Sequence, residues 1–289
     1  MRPLSRNAFC RGLVFGLLLA AASPCSLRAQ PIQQPPRHGP WDLDLVLLES
    51  EDGIRFTRRG PFVERAGVPT LVADRNGQLS ALFQWFPDGR PEDFDRVAAS
   101  SSKDGGKTWT PPEPIAVDGF PSDLRRPFDP TLVELEDGRF RLYFTSHPGG
   151  DRGGPGFEGG PRPGIYSAVS KDAVHYQFEP GARFRVEGEV VIDCAAARLG
   201  DSWHLFSPVQ GRQGAAYHAV SKDGLQFERQ ADVTLDVRGS WLGCALTVEN
   251  GLRFYGTGRG GWSAFSPDGK TWRLDKEAAW SLGADPGVA

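Results

Sequence analysis

The sequence predicts an all-β chain folded as a five-bladed β-propeller of four-stranded antiparallel blades, the last blade shared between the N- and C-terminal segments and short of a strand. Three observations carry that prediction. The 289 residues include 36 Gly and 24 Pro but one Met, while 39% are hydrophobic, the composition of a globular chain dense in turns. A Ser-x-Asp motif closed by Phe, Tyr or Trp occurs five times, at residues 50–56, 102–109, 170–178, 221–227 and 266–272. Its aspartates, Asp52, Asp104, Asp172, Asp223 and Asp268, are 52, 68, 51 and 45 residues apart. Four strands of about five or six residues with short loops fill such an interval.

In chain order, the first element is a targeting segment. Arg2, Arg6 and Arg11 precede an apolar run over 12–22 that is too short to span a bilayer. Residues 1–29 therefore read as a signal peptide cleaved after Ala29, giving a secreted protein, periplasmic or extracellular, with no membrane span. Residues 30–40 form a Pro/Gln-rich linker, and 41–289 a single propeller domain expected to be a monomer. The leader holds four Arg and no acid, so its loss takes the formal charge from −3 to −7. That balance speaks against a nucleic-acid partner. Cys10 and Cys25 leave with the leader. Cys194 and Cys244, placed by alignment on neighbouring inner strands, are expected as buried free thiols, since a disulfide needs Cα atoms within about 7 Å. No CxxC or His-rich spacing suggests a metal, and no cofactor is expected.

The strand pattern then repeats. The first blade takes residues 68–73, 79–85 and 96–101, the second 129–135, 140–146 and 165–169, the third 192–199, 203–206 and 216–220, and the fourth 242–248, 252–255 and 262–265. In each, the Ser-x-Asp motif precedes the outer strand. Asp137-Gly138 and Asn250-Gly251 mark hairpin turns between first and second strands. The fifth blade combines residues 43–49 and the Asp52 motif with 284–289, where Ala284-Asp285-Pro286 parallels Phe128-Asp129-Pro130. No second strand follows it, as in a fragment of a longer chain. The motif aspartates are expected to be structural: the carboxylate accepts N–H groups of its own turn, Gly supplies positive φ, and the aromatic packs between sheets.

The motif turns leave the opposite face for a site. There the first residues of the inner strands, Val68, Asp129, Asp193, Gly243 and Asp285, are expected to converge. Three carboxylates close together perturb one another's pKa, as acid and base roles require. The alternative is that the two Asp-Pro pairs are ordinary strand-entry turns. The glycine-rich stretch from His147 to Pro163, carrying Glu158, reads as a long rim loop. Asp129, Asp193 and Asp285 are the candidate catalytic residues. Arg65, Trp85, Arg126, His147, His218 and Arg259 are candidate substrate contacts, because aromatic faces and charged groups beside carboxylates suit sugar rings. Arg65, Arg125, Arg126 and Arg259 together would clamp an anionic group.

The five motifs resemble the Asp box of sialidases and the S-x-D-G-x-x-F turn of five-bladed glycoside hydrolases. With Asp129-Pro130, the run Asp137-Gly-Arg-Phe-Arg-Leu-Tyr-Phe144 and Ala284-Asp285-Pro286, residues 41–289 resemble β-propeller glycoside hydrolases of families 43 and 32. The resemblance implies hydrolysis of a glycosidic bond in an oligo- or polysaccharide by three axial carboxylates. Asp129 and Asp193 match two of those positions, Val68 stands where a first-blade Asp is expected, and Asp285 is placed to supply the third carboxylate. A non-catalytic carbohydrate-binding propeller and a sialidase-like exo-glycosidase are the alternatives.

Overall fold

The computed structural model describes residues 39–150, 162–258, 260–275 and 286–289. The leader, the linker up to residue 38, Glu158, Arg259 and Asp285 lie outside the described residues. The described chain is all β apart from a 3-10 turn at Pro40–Asp42, and no helix of it is long and apolar enough to cross a membrane.

Among the described residues it is a β-propeller with four antiparallel blades, not five. The first blade orders Ala66–Ala73, Leu79–Trp85, Arg96–Ser102 and Glu113–Pro114 from the axis outward. Phe128–Glu134, Phe140–Ser146, Gly164–Ser170 and His175–Phe184 make the second, and Ala116–Asp118 adds a parallel strand to its outer edge. The third is Ala195–Leu199, Ser202–Pro208, Ala215–Ser221 and Glu228–Arg229, and the fourth Gly239–Val248, Gly251–Gly258, Trp262–Ser266 and Arg273–Leu274. The expected fifth blade is reduced, among the described residues, to a two-stranded sheet of Leu45–Glu49 and Thr57–Val63. Val288, like Leu48 and Phe56, packs against the buried pair Cys244 and Tyr255 of the fourth blade.

Second strands carry the core. Phe83, Leu142, Phe144, Leu205, Phe206, Leu252 and Phe254 are all wholly buried, because these strands have sheet on both sides and neighbouring blades on both faces. The predicted hairpin signals act as expected: Gly138 sits at φ 80° and Asn250 at φ 65°, the left-handed conformation that tight connections need.

The Ser-x-Asp turns explain how blade joins blade. In the third blade Ser221 Oγ donates to Asp223 Oδ1 (2.9 Å), and that oxygen accepts the N–H groups of Leu225 and Gln226 at 2.8 and 2.9 Å. The turns of Asp52, Asp104, Asp172 and Asp268 repeat this scheme, and their backbone donors and hydroxyl partners hold these carboxyls below the usual range, Asp268 at about 2. The turns of Asp223, Asp268 and Asp52 then rest on the second strand of the preceding blade, Gly269 lying against His204. Tyr143 Oη donates to Gly224 O at 2.8 Å, with Arg141 donating to Asp223 O at 3.0 Å. Tyr255, three residues past Leu252, which faces the turn's Ser266 as Phe140 faces Ser170, donates to Gly53 O at 2.9 Å. The two-stranded sheet thus occupies the sector that follows the fourth blade. Tyr143→Phe should lower stability by about 1–2 kcal/mol in urea titration, because it removes the donor from a buried carbonyl.

Candidate active site

The inner strands start at one end of the sheet and the Ser-x-Asp turns lie at the other. Ser221 pairs with Trp203, which pairs with Arg198, five residues beyond Asp193. At the starting end the chain enters three inner strands through one unusual conformation. Val68, Asp129 and Asp193 all have φ 50°, beside a break in ladder register at Gly67/Thr70 and at Phe128/Thr131. Left-handed backbone is uncommon for any side chain and an outlier for a β-branched one, so the entry is a strained bulge imposed by the fold at three equivalent places.

The fourth blade departs from this. Counted from Leu79, Phe140, Trp203 and Leu252, each of which faces the Ser of its own Ser-x-Asp turn, the residue five before the inner-strand partner is Val68, Asp129, Asp193 and, in the fourth blade, Leu242, although there it is Gly243 that takes positive φ, 144°. The register is therefore displaced by one from the sequence alignment, and Cys244 stands level with Thr70 and Thr131 rather than with Cys194. Both cysteines are free and buried, and burial pushes their thiols up, Cys244 to about 12.

Val68, Asp129, Asp193 and Gly243 line one axial cavity with Pro69, Thr70, Pro130, Thr131, Cys194 and Cys244. It holds about 10 Å³, room for one water-sized sphere. The channel widens toward the other face into a cavity of about 240 Å³ that shares Thr70, Thr131 and Cys244. Neighbouring blades are tied along it: Leu132 N donates to Thr70 Oγ1 at 3.0 Å, and Thr131 Oγ1 donates to Cys194 O. Nearer the entry, Asp193 N donates to Thr145 Oγ1 at 3.0 Å, and Asp129 N reaches Gln84 Oε1 at 3.5 Å. Gln84 Nε2 in turn donates to Asp95 Oδ1 (2.9 Å), whose other oxygen accepts Arg125 at 2.6 Å. Among the described residues no three His, Cys, Asp or Glu gather to hold a metal ion.

The other expected contacts lie apart from this cavity. Arg65 is held by Phe86 O at 2.9 Å and by Asp88 at 3.2 Å. Arg126 donates to Phe94 O at 3.2 Å and lies 3.8 Å from Asp95. His147 Nδ1 meets Pro148 O at 2.9 Å, and its ring stands edge-on to Phe128. Trp85 is no open platform: it is buried in the first blade with Arg90 4.9 Å from its ring. His218, expected on the pocket wall, lies in the interior at 1% exposure, stacked on Phe206 and 3.0 Å from His204 Nδ1. Its strand position brings it opposite Phe206, where neighbouring blades close over it. Sequence reasoning missed His204 and the Gln84–Asp95–Arg125 chain. Their partners are 11 to 30 residues apart and carry no local spacing signal.

The sequence matches no protein-family model and no curated protein. Solved structures show the likeness that the sequence hides. A protein of unknown function from Dyadobacter fermentans superposes with a TM-score of 0.55 at 16% identity, covering 81% of this chain and 72% of that one. A family 117 glycoside hydrolase of the marine bacterium Zobellia galactanivorans gives 0.53 at 15% identity, covering 78% and 70%. The family 32 β-fructofuranosidase of Bombyx mori gives 0.52 at 14% identity over 73% of this chain but 48% of its own, so this chain spans about half of that enzyme. At these identities the likeness is one of fold.

Proposed function

We propose that this chain is a secreted, glycan-active β-propeller that hydrolyses glycosidic bonds. The observation that carries the reading is the pairing of Asp129 and Asp193, which enter adjacent inner strands in one left-handed conformation and line one cavity on the axis. Two carboxyl groups suffice for the chemistry. One protonates the departing oxygen while the other attacks the anomeric carbon or activates a water. A separation of about 5 Å suits attack, and about 6.5–9.5 Å leaves room for the water. Asp285 is the third carboxylate in this proposal. Arg65, Arg126, His147 and Arg259 are proposed to meet substrate at the rim, with Trp85 and His218 serving the core. The glycoside hydrolases among the structural neighbours support the reading through their shared fold.

A second reading, a non-catalytic carbohydrate-binding propeller, has its own support. Val68 and Gly243 bring no acid to two positions on the axial cavity, and that cavity, about 10 Å³, is smaller than a sugar ring. A sialidase-like reading fits less well, since Arg65 and Arg126 already lean on Asp88 and Asp95. Incubation with a glycan array followed by product analysis decides between the first two. New reducing ends support hydrolysis, and retention of intact glycan supports binding alone.

A further inference from the structure

The axial entries of the second and third blades share a device that the first and fourth lack among the described residues. In the first two blades the sixth residue of the second strand reaches toward the entry of the next blade, whereas its fourth-blade equivalent, Thr257, donates to Leu242 O of its own blade at 2.9 Å. Counting from Leu79, Phe140 and Trp203, each of which pairs with the Ser of its own Ser-x-Asp turn, the sixth residue is Gln84, Thr145 and Pro208. Gln84 Oε1 faces the N–H of Asp129, and Thr145 Oγ1 accepts the N–H of Asp193 at 3.0 Å. Pro208 offers no side-chain acceptor, and the entry residue that follows it is the apolar Leu242. Side-chain acceptors therefore stand where the entry residue is an acid, and none stands where it is Leu.

Thr145 is the stronger of the two. It is wholly buried on the second blade, and its bond crosses to the third blade, so it fixes the peptide of Asp193 against the blade that bears Asp129. Gln84 acts at a longer 3.5 Å, but its amide is oriented: Nε2 donates to Asp95, which leaves Oε1 toward Asp129. Without such a hold, an aspartate at φ 50° can relax toward ordinary extended backbone and swing its carboxyl group away. The hydroxyl and the amide oxygen act on the acids through the backbone. They do not touch the reacting atoms.

We propose that Thr145 is a positioning residue for Asp193, with Gln84 its looser counterpart for Asp129, so that the spacing of the two carboxylates is set by bonds between blades. This rests on the hydrolytic reading above, and its test is separable from that reading. Carboxyl carbons of Asp129 and Asp193 are followed by NMR through an acid titration in the wild type, Thr145→Val, Thr145→Ser and Gln84→Leu. Thr145→Val should move the Asp193 midpoint by about half a pH unit or more and leave Asp129 in place. Thr145→Ser, which keeps the hydroxyl, should restore it, and Gln84→Leu should disturb Asp129 first. On a cleaved glycan, Thr145→Val should lower kcat about 10-fold or more with KM within about 2-fold. Unchanged midpoints in a folded Thr145→Val protein overturn the proposal. Midpoints moved by Thr145→Val, in a protein whose wild type cleaves no glycan, would leave the positioning intact and remove the hydrolytic reading.

Discussion

Acidification from pH 7 to pH 4 should lower the unfolding free energy by about 3 kcal/mol through His218 alone. Burial, then the neighbouring His204 and Lys270, hold the His218 imidazole down at about 4, against an unfolded value of 6.5; Asp268 opposes them. His204 is lowered too, mainly by burial. The sign follows from proton uptake. Between pH 6.5 and 4 the unfolded chain binds a proton that the native His218 refuses, so stability is intact above 6.5 and drains away as pH falls toward 4. Native geometry makes the refusal costly to overcome. One ring nitrogen meets His204 Nδ1 at 3.0 Å, the faces stack on Phe206 and His204, and Gly269 of the next blade's turn lies over His204 with no room for a side chain. Urea midpoints measured at each pH should fall in the wild type and fall less, by that amount, in His218→Gln. Equal slopes in the two proteins would contradict the assignment.

Trp241→Ala should cost about 5 kcal/mol, enough to unfold a domain of ordinary stability. Trp241 is wholly buried, with ring centroids 4.5 Å from Phe254, 5.3 Å from Trp262, 5.3 Å from Trp272 and 5.7 Å from Phe206. Its indole also donates to Gly214 O at 3.0 Å. Truncation opens a cavity between the third and fourth blades, breaks several aromatic contacts and strands a carbonyl. Trp241→Phe, which refills much of the space, should recover a large part of the loss. Thermal unfolding of both variants provides the measurement.

The repeat was legible in the sequence because turns are local. Ser221, Asp223 and Gly224 close their hydrogen bonds within three or four residues, so spacing alone reveals them. Strand entries were legible as well: Asp129 and Asp193 lie at equivalent inner-strand positions, as the repeating strand pattern implied. What escaped depends on distance. The one-residue displacement that puts Leu242 level with Val68 exists only in the strand pairing, and the sequence aligns Gly243 there just as well. His218 alternates correctly along its strand, yet which blade covers it depends on Phe206 and Gly269, 12 and 51 residues away. The blade count failed for a related reason. Five turns do not require five full sheets, and the Asp52 turn is satisfied by docking on Tyr255 with two strands behind it.

The most direct test of the central claim is release of reducing ends from a panel of oligo- and polysaccharides by the wild type, Asp129→Asn and Asp193→Asn, matched for folding by circular dichroism. Wild type should cleave at least one glycan, and each Asn variant should lose about 100-fold or more of that rate. Cleavage that survives intact in both variants would contradict a catalytic role for the axial pair.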